Sequence, residues 1–182
     1  MKKNNYLQTR TGICFDLDDP DPVNVTLPDI IWALAHLPRF TGHAGGYSVA
    51  QHSVTCAREA AHRGMDLLTI RCALMHDAHE AYTGDVSTPV KKCLGDSWRD
   101  FERSIQYAVR ERFGLPYEDP EAVKLLDAQA CLSEASFFLG TLKGDGWPPE
   151  SLGGLRLFGH RIWGPQEAME EMSRFCDRYE VI

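Results

Sequence analysis

The stretch from Asp66 to Ala81, D-L-L-T-I-R-C-A-L-M-H-D-A-H-E-A, decides the fold of this 182-residue chain. Its apolar residues recur with the 3.6-residue period of an α-helix, and their stripe runs on into Asp77. His76 and Glu80 lie one turn apart beside that stripe. A charge that points into a core is costly unless it has a partner. The stretch therefore predicts a helix over about 66–82 that carries ionisable side chains inward.

A second helix is predicted over about 48–63. Ser48 and Gln51 have the spacing of a capping box, and the apolar stripe that follows them includes His52. A third helix is predicted from Asp119, an N-cap followed by a proline, to about residue 140. Its apolar stripe includes Asp127. Each of the three helices therefore aims at least one ligand-type side chain at a common interior.

These inward-facing residues predict a metal site formed by His52, His76, Asp77 and Asp127. Two imidazoles and two carboxylates suit one divalent transition metal ion, Mn, Co, Ni, Fe or Zn, rather than calcium. Taken singly, each residue could be a core histidine on a carbonyl or an aspartate paired with an arginine. The recurrence on three helices favours the metal site, as does an adjacent His-Asp pair whose side chains diverge by about 100° on a helix. Glu134, on the same stripe as Asp127, is interpreted as a supporting partner.

The rest of the chain predicts an all-α single domain, residues 1–182, built as a helical bundle with a small N-terminal β-hairpin. Residues 6–17 alternate around T-R-T-G and predict the hairpin. Further helices are predicted after Thr26, from Ser97, and from Pro165 to the end. Residues 143–165 are rich in glycine and proline and predict a long loop, with a possible short strand at L-R-L-F.

Composition excludes several classes of function. A net charge of −7 argues against binding a nucleic acid polymer, which needs a basic stripe. No apolar run is long enough to cross a membrane and no signal-peptide core follows the amino terminus, so we expect a cytoplasmic protein without membrane contact. The six cysteines show no C-x-x-C spacing, and most of them read as small core residues.

Two stretches carry a resemblance to a known family. The first is H-D-A-H-E-A-Y-T-G-D-V-S-T-P-V-K, from His76 to Lys91, and the second is R-F-T-G-H-A-G-G-Y-S-V-A-Q-H-S, from Arg39 to Ser53. With the order H, HD, D of the four ligands, they resemble the HD-domain metal-dependent phosphohydrolases. The closer resemblance is to the small bacterial and phage-related branch of 5'-deoxynucleotidases and a phage dATP triphosphohydrolase. It covers roughly residues 6–140.

The resemblance implies roles for two further acids. Glu80 would be the general acid or base, and Asp85 would assist it. From the residues alone, Glu80 is equally a solvated acid at a helix end, and Asp85 is interpreted as a turn residue.

The resemblance also implies residues that contact the substrate. Arg39 and Lys91 would bind phosphate. His43 is either a phosphate contact or a turn cap, with equal weight. The candidates for contacts to the sugar or base are Tyr47, Phe40 and Trp32, of which Phe40 and Trp32 are at least as readily core residues.

The resulting hypothesis is a metal-dependent hydrolase that releases phosphate from deoxynucleoside 5'-monophosphates by attack of metal-bound hydroxide. The first alternative is a dNTP phosphohydrolase or triphosphohydrolase, because monophosphate-specific relatives carry Arg-Trp where this chain has Arg39-Phe40. An alternative from another class is a catalytically silent, metal-stabilised nucleotide-binding protein. The family resemblance also implies a homo-oligomer.

Overall fold

The all-α fold with a small N-terminal hairpin is confirmed by the computed structural model, which describes residues 5–157 and 161–182. The hairpin consists of β1 (Tyr6–Gln8) and β2 (Cys14–Asp16), which pair antiparallel with Leu7 opposite Phe15. The helices are α1 (Leu27–His36), α2 (Val49–His62), α3 (Leu67–Met75), α4 (Glu80–Thr83), α5 (Thr88–Leu94), α6 (Asp96–Arg112), α7 (Glu121–Leu139) and α8 (Pro165–Arg178). Short 3-10 turns cover Pro22–Asn24, Phe40–Gly42 and Glu150–Leu152.

Helix α2 is the centre of the domain. It packs against α1, α3, α7 and α8, and side chains on all of its faces are buried. Its small residues, such as Ala50 and Ala57, let the neighbouring helices approach closely. A helix surrounded on every side brings its polar residues into the interior. This is why His52 is fully buried.

The predicted starts of α1 and α2 are confirmed, with one correction. The side chains of Thr26 and Ser48 accept hydrogen bonds from the backbone N–H groups of Asp29 and Gln51. Gln51 does not complete a capping box, however. Its side chain donates to the carbonyl oxygen of Arg161 and accepts from the backbone N–H of Trp163, so it ties α2 to the segment before α8.

The helix predicted over 66–82 is wrong in one respect, because it is interrupted at His76. Helix α3 ends at Met75 and α4 begins at Glu80. Between them, the N–H of Ala78 bonds to Met75 O and the N–H of Glu80 to Asp77 O, each three residues back. These bonds tighten the chain relative to an α-helix. His76 and Asp77 therefore project from a tight turn.

Three other boundaries differ from the prediction. Pro120, not Asp119, is the N-cap of α7, because the Asp119 side chain instead accepts a hydrogen bond from buried Arg110 at 2.6 Å. Helix α5 was not predicted, and α6 begins at Asp96. No strand forms over 155–157, and Phe158, the last residue of L-R-L-F, lies outside the described residues.

Helix α8 closes the core with Ala168, Met172 and Phe175, as its pattern predicts. Arg58 from α2 pairs with Glu171 at 3.1 Å on the same contact. Within the described parts of the chain, we find no helix with both the length and the apolar character needed to span a bilayer.

Candidate metal centre

Four side chains from α2, α7 and the turn after α3 converge on one point. His52 Nε2 lies 3.1 Å from His76 Nε2, 3.1 Å from Asp127 Oδ1 and 3.5 Å from Asp77 Oδ2. His76 Nε2 lies 3.2 Å from Asp77 Oδ2 and 3.8 Å from Asp127 Oδ1. Ligands about 2.1 Å from a common metal ion are roughly 3–3.5 Å from one another. The structure therefore brings together all four residues that the sequence predicted as ligands.

The hydrogen bonds of the two imidazoles decide which nitrogen faces the centre. Nδ1 of His76 is 2.9 Å from the carbonyl oxygen of Ala73, which can only accept, so Nδ1 carries the proton. Nδ1 of His52 is 2.8 Å from the Glu134 carboxylate and donates to it. Both neutral rings then present an Nε2 lone pair to the same point. Two lone pairs 3.1 Å apart need a proton or a metal ion between them, and a divalent metal ion fits the donor set that the two rings form with Asp77 and Asp127.

The pKa shifts of the converging residues show that negative charge dominates the centre. Burial, and at His52 also Arg39, opposes protonation of the imidazoles. Cys56 and Glu134 beside His52, and Asp77 and Asp127 beside His76, nevertheless raise the pKa of both rings well above the usual range. Burial would also raise the pKa of Asp127, but His52 and His76, when their Nε2 atoms carry a proton, donate hydrogen bonds that outweigh it and hold that pKa well below its usual range. The pKa of Asp77 is lowered in the same way. The centre thus keeps its carboxylates ionised and attracts cations.

Glu134 is the buried support behind the ligands. Its side chain is fully buried. Oε1 accepts hydrogen bonds from His52 Nδ1 at 2.8 Å and from the Tyr47 hydroxyl at 2.7 Å. Arg39 Nε lies 3.3 Å from Oε2, and Arg39 Nη1 lies 3.3 Å from Asp77 Oδ2. Burial would raise the pKa of Glu134, but His52 and Arg39 outweigh it and lower that pKa. The interpretation of Glu134 as a supporting partner agrees with these contacts.

Cys56 lies closer to the centre than its sequence pattern indicated. It is one turn after His52, fully buried, and its Sγ is 3.8 Å from His52 Nε2. Sγ and the His52 and His76 ligand nitrogens all lie within 4.8 Å of one another, a grouping that could itself hold a metal ion. Three of the four distances from these nitrogens to the Asp77 and Asp127 oxygens, 3.1–3.5 Å, are shorter than the 3.8 Å from Cys56 Sγ to His52, and the fourth equals it. The carboxylates therefore fit the predicted ligand set at least as well as the thiol does.

A cavity of about 640 Å³ opens over the centre. Asp77 and Asp127 form part of its lining. Six more of the predicted site residues also line it, namely Arg39, Phe40, His43, Glu80, Asp85 and Lys91. The wall is completed by the 86–89 segment and by residues on and after α7.

Glu80 is the acid best placed for proton transfer. It is 5% exposed, and its Oε2 makes no hydrogen bond to any described residue. Burial, then Asp77 and Asp85, raises its pKa well above the usual range. A cation bound at the candidate ligands would instead lower the pKa of Glu80. Asp85, in the loop after α4, also has a pKa raised by burial.

Lys91 reaches the cavity from α5 while its ammonium group is held by Glu102 of α6 at 2.6 Å. Burial would lower the pKa of Lys91, but Glu102 raises it, so the side chain is charged. His79, two residues after Asp77, also lies against Glu102, with Nε2 at 3.5 Å from Oε1. His79 therefore contacts the same carboxylate as Lys91 and is not one of the four converging donors.

Tyr47 is a correction to the prediction of substrate-contacting residues. Its side chain is 2% exposed, is absent from the cavity lining and binds Glu134 behind the ligands. His43 is exposed and lines the cavity, and its backbone N–H also closes a turn onto Phe40 O. Both alternatives considered for His43 are therefore compatible with its position.

The sequence patterns missed Lys143 and Trp147, which line the cavity from the loop after α7. The Trp147 ring centroid lies 6.4 Å from that of Phe40, with the planes tilted by 45°. The only signal was a tryptophan and a lysine inside the glycine-rich run K-G-D-G-W. Loop residues do not follow a helical stripe, so periodicity gives no information about where they point.

Comparisons with known proteins place the chain in a family. No family model matches it. The uncharacterized protein YfdR of Escherichia coli K12 is 34% identical over 184 aligned positions, which cover 97% of each chain. An uncharacterized protein of Rhodobacter capsulatus is 33% identical over 147 positions, 76% of this chain and 75% of the relative. The chain belongs to the same protein family as YfdR.

Proposed function

We propose that this protein is a divalent-metal-dependent phosphohydrolase of the HD-domain type, which releases inorganic phosphate from deoxynucleoside 5'-monophosphates. The observation that supports the proposal is the convergence of four donor atoms beneath a cavity that also holds acids and cations. Phosphoryl transfer to water needs these three kinds of group together.

The four donors would hold one ion, and the remaining residues would handle protons and charge. When bound, the ion would supply Lewis acidity and lower the pKa of nearby water. Glu80 lines the cavity, and its buried Oε2 has no hydrogen-bond partner among the described residues, so no bond within the protein would have to break for Glu80 to exchange a proton with water or the leaving group. Asp85, which lines the same cavity, would help to orient that water.

Arg39 and Lys91 would bind the phosphate oxygens. Both line the cavity, and both are already held in place by carboxylates, Arg39 by Asp77 and Glu134 and Lys91 by Glu102. Cations held in this way lose little conformational freedom when they bind an anion. A small phosphorylated substrate also suits a chain with a net charge of −7, since it needs only this local positive patch.

A dNTP hydrolase is the second candidate, and Lys143 favours it. Lys143 adds a third cation to the cavity lining, and no ion pair joins it to an acid in residues 5–157 or 161–182. A monophosphate needs less positive charge than a triphosphate. A silent binding protein is disfavoured by Glu80 and Asp85, because a purely structural metal site needs ligands but no groups for proton transfer.

Product analysis tests the proposal. The protein is stripped of metal, reloaded separately with Mn, Co, Ni, Zn or Mg, and incubated with dNMPs, dNTPs and ribonucleotides. We expect orthophosphate and nucleoside from dNMPs. Release of triphosphate or orthophosphate from dNTPs alone would select the second candidate. Absence of turnover with every metal would overturn both and support the binding protein.

A further inference from the structure

The cavity has an aromatic side that the chemistry of phosphate release does not use. Phe40 lies in the segment between α1 and α2, and Trp147 lies in the loop after α7. Their ring centroids are 6.4 Å apart, and both side chains are partly buried. Aromatic rings that meet across a cavity wall present flat apolar faces to whatever occupies it.

Phe40 is held rigidly. Phe40 and Thr41 both adopt left-handed backbone conformations, with φ of 55° and 54°, which are unfavourable for residues other than glycine. Two backbone hydrogen bonds fix the turn. The N–H of Arg39 donates to Tyr47 O, and the N–H of His43 donates to Phe40 O. The Arg39 guanidinium carbon also lies 5.5 Å from the Phe40 ring centroid. Backbone strain of this kind persists where the surroundings fix the position of a side chain.

Trp147 is positioned by its own loop. Its indole N–H donates to the carbonyl oxygen of Lys143 at 3.1 Å. Gly144, with a φ of 85°, and Gly146, which lines the cavity, lie inside the segment that this bond closes. Each ring is therefore placed by a loop of its own, Phe40 by the turn after α1 and Trp147 by the loop after α7.

We propose that Phe40 and Trp147 hold the nucleobase of the substrate between them. This inference rests on the proposed function and adds the recognition of the base to it. A planar base between two parallel rings needs roughly 7 Å between their centroids, twice the contact distance of carbon atoms. Reaching that spacing from 6.4 Å takes a displacement of less than about 1 Å and a rotation of the Trp147 ring to remove the 45° tilt.

The same arrangement predicts the kind of selectivity. Stacking uses the π-face that every base has, so it discriminates weakly among bases and strongly against substrates without a base. We expect all four deoxynucleotides to be bound within about one order of magnitude of one another. A sugar phosphate such as 2-deoxyribose 5-phosphate would lack the contribution of the two rings.

The test compares Trp147→Ala and Trp147→Phe with the native enzyme on dNMPs and on 2-deoxyribose 5-phosphate. For Trp147→Ala we expect KM for dNMPs to rise at least about tenfold, with kcat little changed. The loss of activity on the sugar phosphate should be several-fold smaller than the loss on dNMPs, and Trp147→Phe should recover most of the loss on dNMPs. Tyr117→Ala is the control, because Tyr117 is an exposed aromatic residue that packs on Tyr107 away from the cavity.

Equal losses on both substrates would overturn the inference, because they would mean that Trp147 only supports the structure. Unchanged KM for dNMPs would overturn it as well.

Calorimetry of dNMP binding to metal-free protein separates failure of the aromatic slot, formed by Phe40 and Trp147, from failure of the proposed function. If native protein binds dNMPs at least tenfold more tightly than Trp147→Ala but hydrolyses nothing, the aromatic slot stands and the hydrolase proposal falls. Equal affinity, or no binding to native protein, overturns the slot.

Discussion

Nδ1 of His52 donates to Oε1 of Glu134 at 2.8 Å, and neither side chain has any exposed surface. The bond leaves Nε2 of His52 as the atom that faces His76, Asp77 and Asp127. A carboxylate behind a ligating histidine fixes the ring and increases the basicity of the ligand nitrogen. The proposed metal centre therefore depends on a residue that does not touch the ion.

Replacing Glu134 with glutamine removes that charge while keeping the shape of the side chain. We expect metal affinity to fall by about 10- to 100-fold, because the histidine ligand becomes less basic and less firmly oriented. Competition with a chromophoric chelator measures the change. Tyr47→Phe is the matched control: it removes one hydrogen bond to Glu134, should cost about 1–2 kcal/mol of stability, and should leave metal affinity within a few-fold. Unchanged affinity in Glu134→Gln would contradict this role.

Glu80→Gln separates metal binding from proton transfer. We expect the variant to bind one metal ion per chain and to lose at least about 100-fold in kcat, the usual contribution of a general acid or base. Metal analysis and phosphate release measure the two effects separately. The control is Glu111→Gln, an exposed acid on α6, which should change neither. Activity that survives in Glu80→Gln would remove Glu80 from the proposed mechanism.

Lys91 and Lys92 form a natural matched pair, because only Lys91 lines the cavity. We expect Lys91→Met to raise KM for a phosphorylated substrate about tenfold or more, since a hydrogen bond to a charged group contributes about 1.5–3 kcal/mol. The exposed Lys92 should tolerate the same change without effect. Steady-state kinetics of the two variants checks this expectation. Equal effects would show that the response comes from net charge rather than from contact with phosphate.

Asp29 predicts a pH dependence of stability away from the metal centre. Its carboxylate accepts from Thr11 N at 2.8 Å, Thr11 Oγ1 at 2.7 Å and Thr26 Oγ1 at 2.7 Å, which joins the hairpin to α1. Burial would raise the pKa of Asp29, but the hydrogen bonds from Thr11 and Thr26 lower it. A lowered pKa gives stability that is present above the unfolded-state pKa of about 3.9 and is lost as pH falls through the folded-state value.

We therefore expect Asp29→Asn to lower the free energy of unfolding by about 1–2 kcal/mol at pH 7. The difference from native protein should shrink as pH falls below about 4, because Asp29 is protonated first in the unfolded chain and in the folded protein only at lower pH. Chemical denaturation at several pH values measures it. Asp100→Asn, at an exposed position on α6, serves as the control. A difference that stays constant down to pH 3 would show that the charge of Asp29 contributes nothing.

Most of the helices, and the convergence of the four candidate ligands, could be predicted from the sequence because both follow from periodicity. His52 and Asp127 occupy apolar stripes of long helices, where an unpartnered polar side chain is costly, so their inward direction can be read from spacing alone. His76 and Asp77 were predicted together with them although the predicted helix is broken there. A tight turn and a helix both point adjacent side chains in different directions. The wrongly predicted continuous helix therefore did not change which four residues are the candidate ligands.

The residues that could not be predicted are those that depend on tertiary contacts. Helix α5 has only seven residues, none of them buried, so its sequence carries too little periodic pattern to predict it. Trp147 reaches the cavity only because the loop after α7 returns over the site. Tyr47 was predicted to contact substrate, but a partner 87 residues further along the chain draws its hydroxyl behind the ligands. No local pattern contains that information.

The most direct test of the central claim is the metal content of the native chain and of Asp127→Asn. Stripped protein is reloaded with Mn, Co or Zn, dialysed, and analysed by mass spectrometry for bound metal per chain. We predict one ion per native chain, and little or none in Asp127→Asn, with both proteins folded by circular dichroism. A native chain that retains no divalent metal, or an Asp127→Asn chain that retains as much as the native one, would contradict the proposed metal centre.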